Sequence, residues 1–379
     1  MLIGIDASRA VAAEMSGTEV YSLNVIRERI KLGNGLTFRL YFRDRPSAEL
    51  GLGGGHVEHR LIRRRRLWTH VGLSWETTVR PPDLLFVPAH VVPIVRRCRT
   101  VATIHDVGYL DYPEAYTRQR WWYLHLSTLF NSRVASLLIA DSHATKADLV
   151  NRYGVRPDKI RVVYLACDEA FVPADRAEAQ ETVKRRHGIS GNYFLYLGTL
   201  QPRKNVPRLL KAFADFKAQT GSDHKLVLVG RKGWLFEPIF RSVRELGIER
   251  DAMFLGYLPD SELPALLGGA LALVFPSLYE GFGLPALQAM ACGTPVIASN
   301  VSSLPEVVGE AGLLVDPCDT NELTRAMTRV AGDDGLRWEL RQRGLARAKL
   351  FSWRKCAAET LEVLLQAGGQ RQVGNDVEV

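Results

Sequence analysis

The apolar residues of this chain gather into short runs separated by longer amphipathic stretches, and that alternation constrains the fold before any single residue does. In the first half, runs that read as strands cover 2–6, 37–42, 57–62, 83–87, 100–105, 136–140 and 160–165, with helical spacing over 18–32 and 117–133 between them. The second half repeats the plan, with strands expected at 193–197, 225–229, 252–255, 271–275, 295–298 and 312–315. Near-continuous apolar strands alternating with helices favour parallel sheets covered on both faces. The fold class is therefore α/β, with two Rossmann-like parallel-sheet domains facing across a cleft. The first domain is expected over 1–170 and the second over 171–351. The periodicity breaks between Asp168 and Ile189, around Pro173 and Gly188, where a linker is expected. The polar tail 368–379 is expected to fray.

The most informative stretch runs from Phe275 to Ser299, FPSLYEGFGLPALQAMACGTPVIAS. Pro276 and Ser277 end the apolar run before it. After Glu280, Gly281 and Gly283 allow the backbone to turn tightly, and Pro285 suits the first position of a helix, where proline is tolerated best. The free amides of that helix start, with the positive end of the helix dipole, suit an anion such as a diphosphate. Glu280 then lies beside whatever the diphosphate carries, and a nucleotide sugar meets both demands.

This segment resembles the donor signature of the family-4 retaining glycosyltransferases, in which a glutamate, the residues GFG and a second glutamate form an E-x7-E pattern. Here the second acid is replaced by Gln288, at the position where the family's glutamate accepts both ribose hydroxyls of the nucleotide. A carboxamide accepts one and donates to the other, with a loss of about 1 kcal/mol for the missing charge-assisted bond. A second motif, Gly198-Thr199-Leu200-Gln201-Pro202-Arg203-Lys204-Asn205, is similar to the family's G-x4-RKN segment. Arg203 and Lys204, adjacent cations at a strand end, are the candidates to neutralise the diphosphate and stabilise the charge that builds up there as the glycosidic bond breaks. The donor-binding candidates are Gly17, Gly198, Tyr257, Leu258, Gly281, Phe282, Gly283, Leu284 and Gln288. Tyr257 and Leu258 follow an expected strand and resemble the family's base pocket; Tyr257 either meets the base or caps the core. Glu306, in LPEVVG, is either an acid near the site or a first-turn helix acid.

In the first half, His105 in TIHD resembles the family's histidine that contacts the donor sugar; a histidine satisfied by Asp106 is the plain alternative. Gly17-Thr18 resembles the family's first-domain glycine loop, with one glycine where two are usual. Ser142 reads as a helix cap. The resemblance implies the GT-B fold, a last helix over 352–366 packing back on the first domain, and retention of configuration with the leaving phosphate oxygen taking the acceptor proton. Glu280 would hold sugar hydroxyls in that scheme.

Charge adds a partner. Residues 1–170 hold 24 Lys and Arg against 17 Asp and Glu, a net of +7, while the remainder, 25 against 24, nets +1. The densest cluster is Arg63-Arg64-Arg65-Arg66 followed by Trp68. Arg64, Arg65 and Trp68 are the candidates to face the acceptor or the membrane, since cations interleaved with indoles suit an anionic membrane or a polyprenyl-diphosphate acceptor. No stretch matches a nucleic-acid-reading module. The five cysteines are odd in number and widely spaced, so neither a disulfide framework nor a metal cluster is expected, and a reducing compartment is implied. No signal peptide and no bilayer-spanning segment are expected, which points to the cytoplasm, with peripheral contact on the inner face of the membrane.

No Asp-x-Asp pair ends an expected strand, so neither a metal nor a cofactor is expected. The expected activity is transfer of a hexose, mannose above others, from a GDP- or UDP-linked donor to a saccharide or lipid-linked acceptor in polysaccharide biosynthesis. A sugar-nucleotide epimerase of the same fold and a catalytically silent scaffold are the alternatives. A dinucleotide oxidoreductase is disfavoured because no G-x-G-x-x-G follows the first strand.

Overall fold

The computed structural model describes residues 1–369 apart from 13, 14, 34, 65 and 90. It divides into two compact units, one of residues 1–110, 118–165 and 352 onward, the other of residues 111–117 and 166–351. Of the polar tail, residues 370–379 lie outside the described residues, as does Arg65.

The first unit is built on a seven-stranded sheet: β1 (Leu2–Asp6), β2 (Thr37–Phe42), β3 (Val57–Leu61), β4 (Leu84–Val87), β5 (Arg99–Ile104), β6 (Leu137–Ala140) and β7 (Ile160–Val162). Their order is β3-β2-β1-β4-β5-β6-β7, with every pairing parallel. Helices α1 (Gly17–Leu32), α2 (Ser74–Val79), α3 (Arg118–Val134) and α4 (His143–Tyr153) belong to the same unit. Ile3, Ile5, Phe38, Leu40, Leu84 and Phe86 are all buried, and such burial contributes about 1.5–3 kcal/mol per side chain.

The second unit carries six parallel strands: β8 (Tyr193–Leu197), β9 (Lys225–Val229), β10 (Ala252–Gly256), β11 (Ala272–Phe275), β12 (Val296–Ser299) and β13 (Leu313–Val315). Their order is β10-β9-β8-β11-β12-β13. Eight helices accompany them: α5 (Arg176–His187), α6 (Val206–Thr220), α7 (Glu237–Glu245), α8 (Leu263–Gly269), α9 (Leu284–Ala291), α10 (Leu304–Val308), α11 (Thr320–Gly332) and α12 (Asp334–Ala348). All residues of β8, β11 and β12 are buried, which is why these strands read as unbroken apolar runs.

The last helix, α13 (Trp353–Gly368), returns to the first unit. Its Trp353 ring lies 6.4 Å from that of Tyr21 on α1, and Arg99 on β5 donates to the Ala367 carbonyl at 2.9 Å.

One expectation needs correction. The stretch taken for a linker holds α5, which begins where the Asp175 carboxylate accepts from the amides of Ala177 and Glu178 and ends at left-handed Gly188. Only Ala179 and Val183 of this helix are buried. Two apolar contacts one turn apart in an otherwise polar helix are too few to make a periodic signal.

Candidate active site

The order of the second sheet reverses at β8 and β11, which lie side by side with Ala272 beside Phe194 and Leu273 beside Leu195. In open α/β sheets ligands collect beyond the carboxyl ends of the strands at such a point. Both sequence motifs emerge there, G-x4-RKN after β8 and EGFGLP after β11.

The loop after β8 is held on one side by the loop after β9. Gly198 donates to the Val229 carbonyl and Leu200 to that of Arg231, each at 2.9 Å. Gly230 passes so close that a Cβ there would stand 2.0 Å from the Gly198 carbonyl oxygen, so only glycine fits. A short turn, Pro202–Lys204, follows, and Asn205 then takes the left-handed conformation at φ 59° before α6. Asn205 Nδ2 donates to the carbonyls of Pro276 at 3.0 Å and Pro317 at 2.8 Å. The Leu278 amide donates to the Arg203 carbonyl at 2.9 Å, and Arg203 Nη1 donates to the Tyr279 carbonyl. These bonds clamp together two segments 76 residues apart.

The clamp aims three charges at one another. Lys204 Nζ lies 2.5 Å from Glu280 Oε1, and Arg203 Nη1 lies 4.0 Å from Glu280 Oε2. The Lys204 ammonium also sits 5.2 Å from the centre of the Phe275 ring. Arg203 and Glu280 are buried and Lys204 nearly so. Two cations against one carboxylate leave a positive excess in surroundings where water screens it little, so the cluster favours an added anion. Burial, reinforced by the charge of Glu280, pushes the neighbouring Tyr196 phenol well above its usual range, and it stays neutral.

The turn that leads into α10 fixes the backbone of Glu280. Its amide donates to Ser302 Oγ at 2.9 Å, while Ser303 Oγ donates to the carbonyls of Glu280 and Phe282, each at 2.9 Å. Gly283 adopts φ 104°, and a Cβ on it would lie 2.6 Å from Leu304 Cδ2. Since Gly283 caps α9, Leu284 takes the first helical position and Pro285 the second, one later than expected. Proline is tolerated there, because first-turn amides have no partner within a helix. Among the described residues, the amides of Gly283 and Leu284 meet no acceptor. Gln288, one turn further in, is buried, and its carboxamide makes no hydrogen bond to the described residues.

Three polar residues of this cluster were absent from the expected set: Asn205, Ser302 and Ser303. Asn205 carried a signal, because asparagine is the residue other than glycine that best tolerates a left-handed position next to a helix. The serines carried none beyond their place before the LPE helix start. Glu306 sits in the first turn of α10, and its carbonyl accepts from Arg347 at 2.5 Å. Tyr257 and Leu258 follow β10 at the edge of the sheet. Tyr257 is exposed and so does not cap the core.

In the first unit, His105 directly follows β5, with both ring nitrogens engaged: Nδ1 is 2.6 Å from Asp141 Oδ2 and Nε2 is 2.9 Å from the Pro88 carbonyl. Its partner is Asp141, directly after the neighbouring strand β6; the Asp106 carboxylate accepts the Gly108 amide. Burial pulls the His105 pKa down, but the charge and hydrogen bond of Asp141 and the Pro88 carbonyl outweigh it and leave it raised. Burial, its largest cause, raises the pKa of Asp141 as well, so the His105–Asp141 pair holds its proton more firmly than either group does in water. Ser142 caps α4 by accepting the Thr145 amide at 3.0 Å.

Gly17 opens α1, where the Glu19 carboxylate turns back to accept the Ser16 amide at 3.1 Å and pairs with Arg9 at 3.1 Å. The acid of the chain itself thus faces this helix start. Arg64 is exposed. Trp68, expected on the same anion-facing surface, is instead buried, with Nε1 donating to the Ile62 carbonyl at 3.1 Å, because the helical turn it opens packs that face inward. The exposed indole nearby is Trp75.

The model for glycosyl transferases group 1 matches residues 179–347, and that for glycosyltransferase family 4 matches residues 15–171. O-antigen chain mannosyltransferase B of Escherichia coli is 37% identical over 263 residues, which cover 69% of this chain and 69% of that protein. Sucrose-phosphate synthase from Thermosynechococcus elongatus superposes with a TM-score of 0.77 at 21% identity, covering 96% of this chain and 98% of that one. The Anabaena protein HepE, solved in complex with UDP-glucose, gives a TM-score of 0.74 at 20% identity, covering 96% of this chain and 99% of that one. Those two likenesses establish the fold, and the two family models with the mannosyltransferase relative establish the lineage: the chain belongs to the family-4 glycosyltransferases, enzymes of the glycosyl transferases group 1 with two Rossmann-like units.

Proposed function

We propose that this enzyme transfers mannose, with retention and without a metal, from a nucleoside diphosphate donor to a saccharide or lipid-linked acceptor during assembly of a surface polysaccharide. The observation that carries this reading is the buried cluster of Arg203, Lys204 and Glu280 beside the start of α9. A glycosyl phosphate bond breaks with negative charge moving onto the departing diphosphate. Cations and a helix start held in advance favour that state more than the ground state. Lys204 and Arg203 take the diphosphate together with the amides of Gly283 and Leu284, which supplies the positive charge a metal would otherwise bring. Glu280, next to Lys204, accepts hydroxyl groups of the sugar. As the bond from the anomeric carbon to phosphate oxygen breaks, the acceptor oxygen bonds to that carbon on the same face. The departing phosphate oxygen takes the acceptor's proton.

Gln288 binds the ribose, accepting from one hydroxyl and donating to the other. Tyr257 and Leu258 meet the base, and Gly17 and Gly198 allow close backbone approach. His105 reaches a sugar hydroxyl only if the ligand takes the place of Pro88 at Nε2. The mannose assignment draws on the E. coli relative's name, and the choice of a nucleoside diphosphate carrier on the UDP-glucose held by HepE. Peripheral contact with an anionic membrane belongs to the same reading.

The test is incubation with labelled GDP- and UDP-sugars, with and without a lipid-linked acceptor extract. Label passing from GDP-mannose to the extract supports the proposal. Epimerisation without acceptor, or silence with every donor, overturns it.

A further inference from the structure

Residues 68–79 form an almost continuous helical segment in the first unit, Trp68–Leu73 wound with wide π-type turns and α2 completing it, with Leu67 as the residue that caps its start. Trp68, Leu73, Ser74 and Thr77 turn inward and are buried. The opposite side carries an apolar residue at every fourth position, and all are open to solvent: Leu67 at 66%, Val71 at 38%, Trp75 at 70% and Val79 at 52% exposure. Scattered exposed apolar residues are ordinary; three in register on one helical face, with a fourth at its cap, form a stripe. The chain bends into this segment at Leu67, a large side chain held at φ 52°, a conformation that L residues other than glycine take at some cost.

The surrounding charge is one-sided. Between residues 62 and 82 the chain has five arginines and a single acid, Glu76, which pairs with Arg80 at 3.7 Å. Arg63, Arg64 and Arg66 are exposed at the amino end of the stripe, and Arg64 Nε donates back to the Arg66 carbonyl at 3.2 Å. An exposed apolar face with an indole, flanked by Arg63, Arg64 and Arg66, which meet no acid among the described residues, has the composition of a helix that lies in the plane of a membrane interface. Among the described residues no helix is long and apolar enough to cross a membrane, so contact through the chain's helices would be of this lateral kind.

We propose that the outer face of residues 67–79 docks on an anionic lipid bilayer. Leu67, Val71, Trp75 and Val79 enter the headgroup boundary, and Arg63, Arg64 and Arg66 meet lipid phosphates. This names the surface for the membrane contact in the functional reading above and rests on that reading only for the biological reason to be at a membrane. Its test needs no catalysis.

Full-length protein is sedimented with vesicles of phosphatidylcholine alone and of phosphatidylcholine with phosphatidylglycerol, beside a Trp75→Ser/Val79→Ser variant. Both substitutions are solvent-facing, and equal melting temperatures and nucleoside diphosphate affinities confirm an intact fold. The expected result is binding to the anionic vesicles only, weakened by salt and at least tenfold weaker in the variant. Equal binding by variant and wild type, or no preference for anionic lipid, overturns the proposal. So does a wild-type dimer that the variant converts to monomer in the absence of vesicle binding, since a second copy would then be the occupant. Should the double variant unfold, Val71→Ser alone reads the same stripe, and binding that it leaves unchanged overturns the proposal.

Discussion

Lys204 and Glu280 meet at 2.5 Å although 76 residues separate them in the chain. The pair exists because β8 and β11 are neighbours, and because Asn205 and Arg203 tie the two loops together through main-chain carbonyls. Lys204 therefore has a partner before any substrate arrives.

If Glu280 holds the sugar and Lys204 the diphosphate, the two should separate kinetically. Glu280→Ala is expected to lower turnover by a hundredfold or more, about 3 kcal/mol, with nucleoside diphosphate affinity changed by only a few fold. Lys204→Ala should weaken both, and its loss leaves the Glu280 carboxylate buried with one cation, so stability falls as well. Steady-state kinetics with calorimetric binding check this; equal losses in turnover and affinity for Glu280→Ala would count against the assignment.

Gln288 occupies a buried place with its carboxamide unused by the described residues. Restoring an acid with Gln288→Glu is expected to tighten nucleoside diphosphate binding about fivefold, or about 1 kcal/mol, through charge-assisted bonds to ribose. Gln288→Leu should weaken it. The gain should vanish with a 2′,3′-dideoxy nucleotide, and a gain that survives there would place Gln288 away from the ribose.

Gly283→Ala meets two obstacles, φ of 104° and a Cβ 2.6 Å from Leu304 Cδ2. A loss of about 1–3 kcal/mol in unfolding free energy is expected. Nucleotide affinity should fall in parallel, because the same residue sets the start of α9. Denaturant titration and calorimetry measure the two effects, and an alanine variant as stable as wild type would show that Leu304 yields without cost.

The His105–Asp141 pair makes stability depend on pH with a defined sign. The raised pKa of His105 means that its contribution is complete below the unfolded value, near 6.5, and is lost as pH rises through the folded value. Asp141→Asn removes the charge that raises it, so the variant should lose more stability at pH 6 than at pH 9. The loss at the lower pH should be about 3 kcal/mol, as for other broken buried pairs. Thermal melts at the two pH values decide the matter, and a loss independent of pH would mean that the ring is neutral.

Several features could be read along the chain because their causes are local. The strands lie where the chain's apolar runs place them, their ends moved by at most one residue except at β7, which is three residues shorter; β8, β11 and β12 are buried on both faces and carry no polar interruption apart from the Ser299 that ends β12, whereas β3 at the sheet edge holds Glu58, His59 and Arg60. Glycine at 283 and the cations at 203 and 204 stood out for the same reason: turn geometry and adjacent charge are written in consecutive residues. Helix α5 escaped notice because its buried face is two residues wide. Trp68 was misplaced because an indole next to arginines has the same composition whether it faces lipid or core, and only the rotation of the helix distinguishes the two.

Alone, then, the sequence determined the α/β class, the strand positions and the chemistry of the donor loops, all of which follow from neighbours a few residues apart. Tertiary structure decided which distant groups became partners: Lys204 with Glu280, His105 with Asp141 in place of Asp106, and Asn205 with Pro276 and Pro317. These choices depend on strand order and on the rotation of each helix. Both are set by how the whole apolar surface is buried at once, and no short window of residues contains that sum.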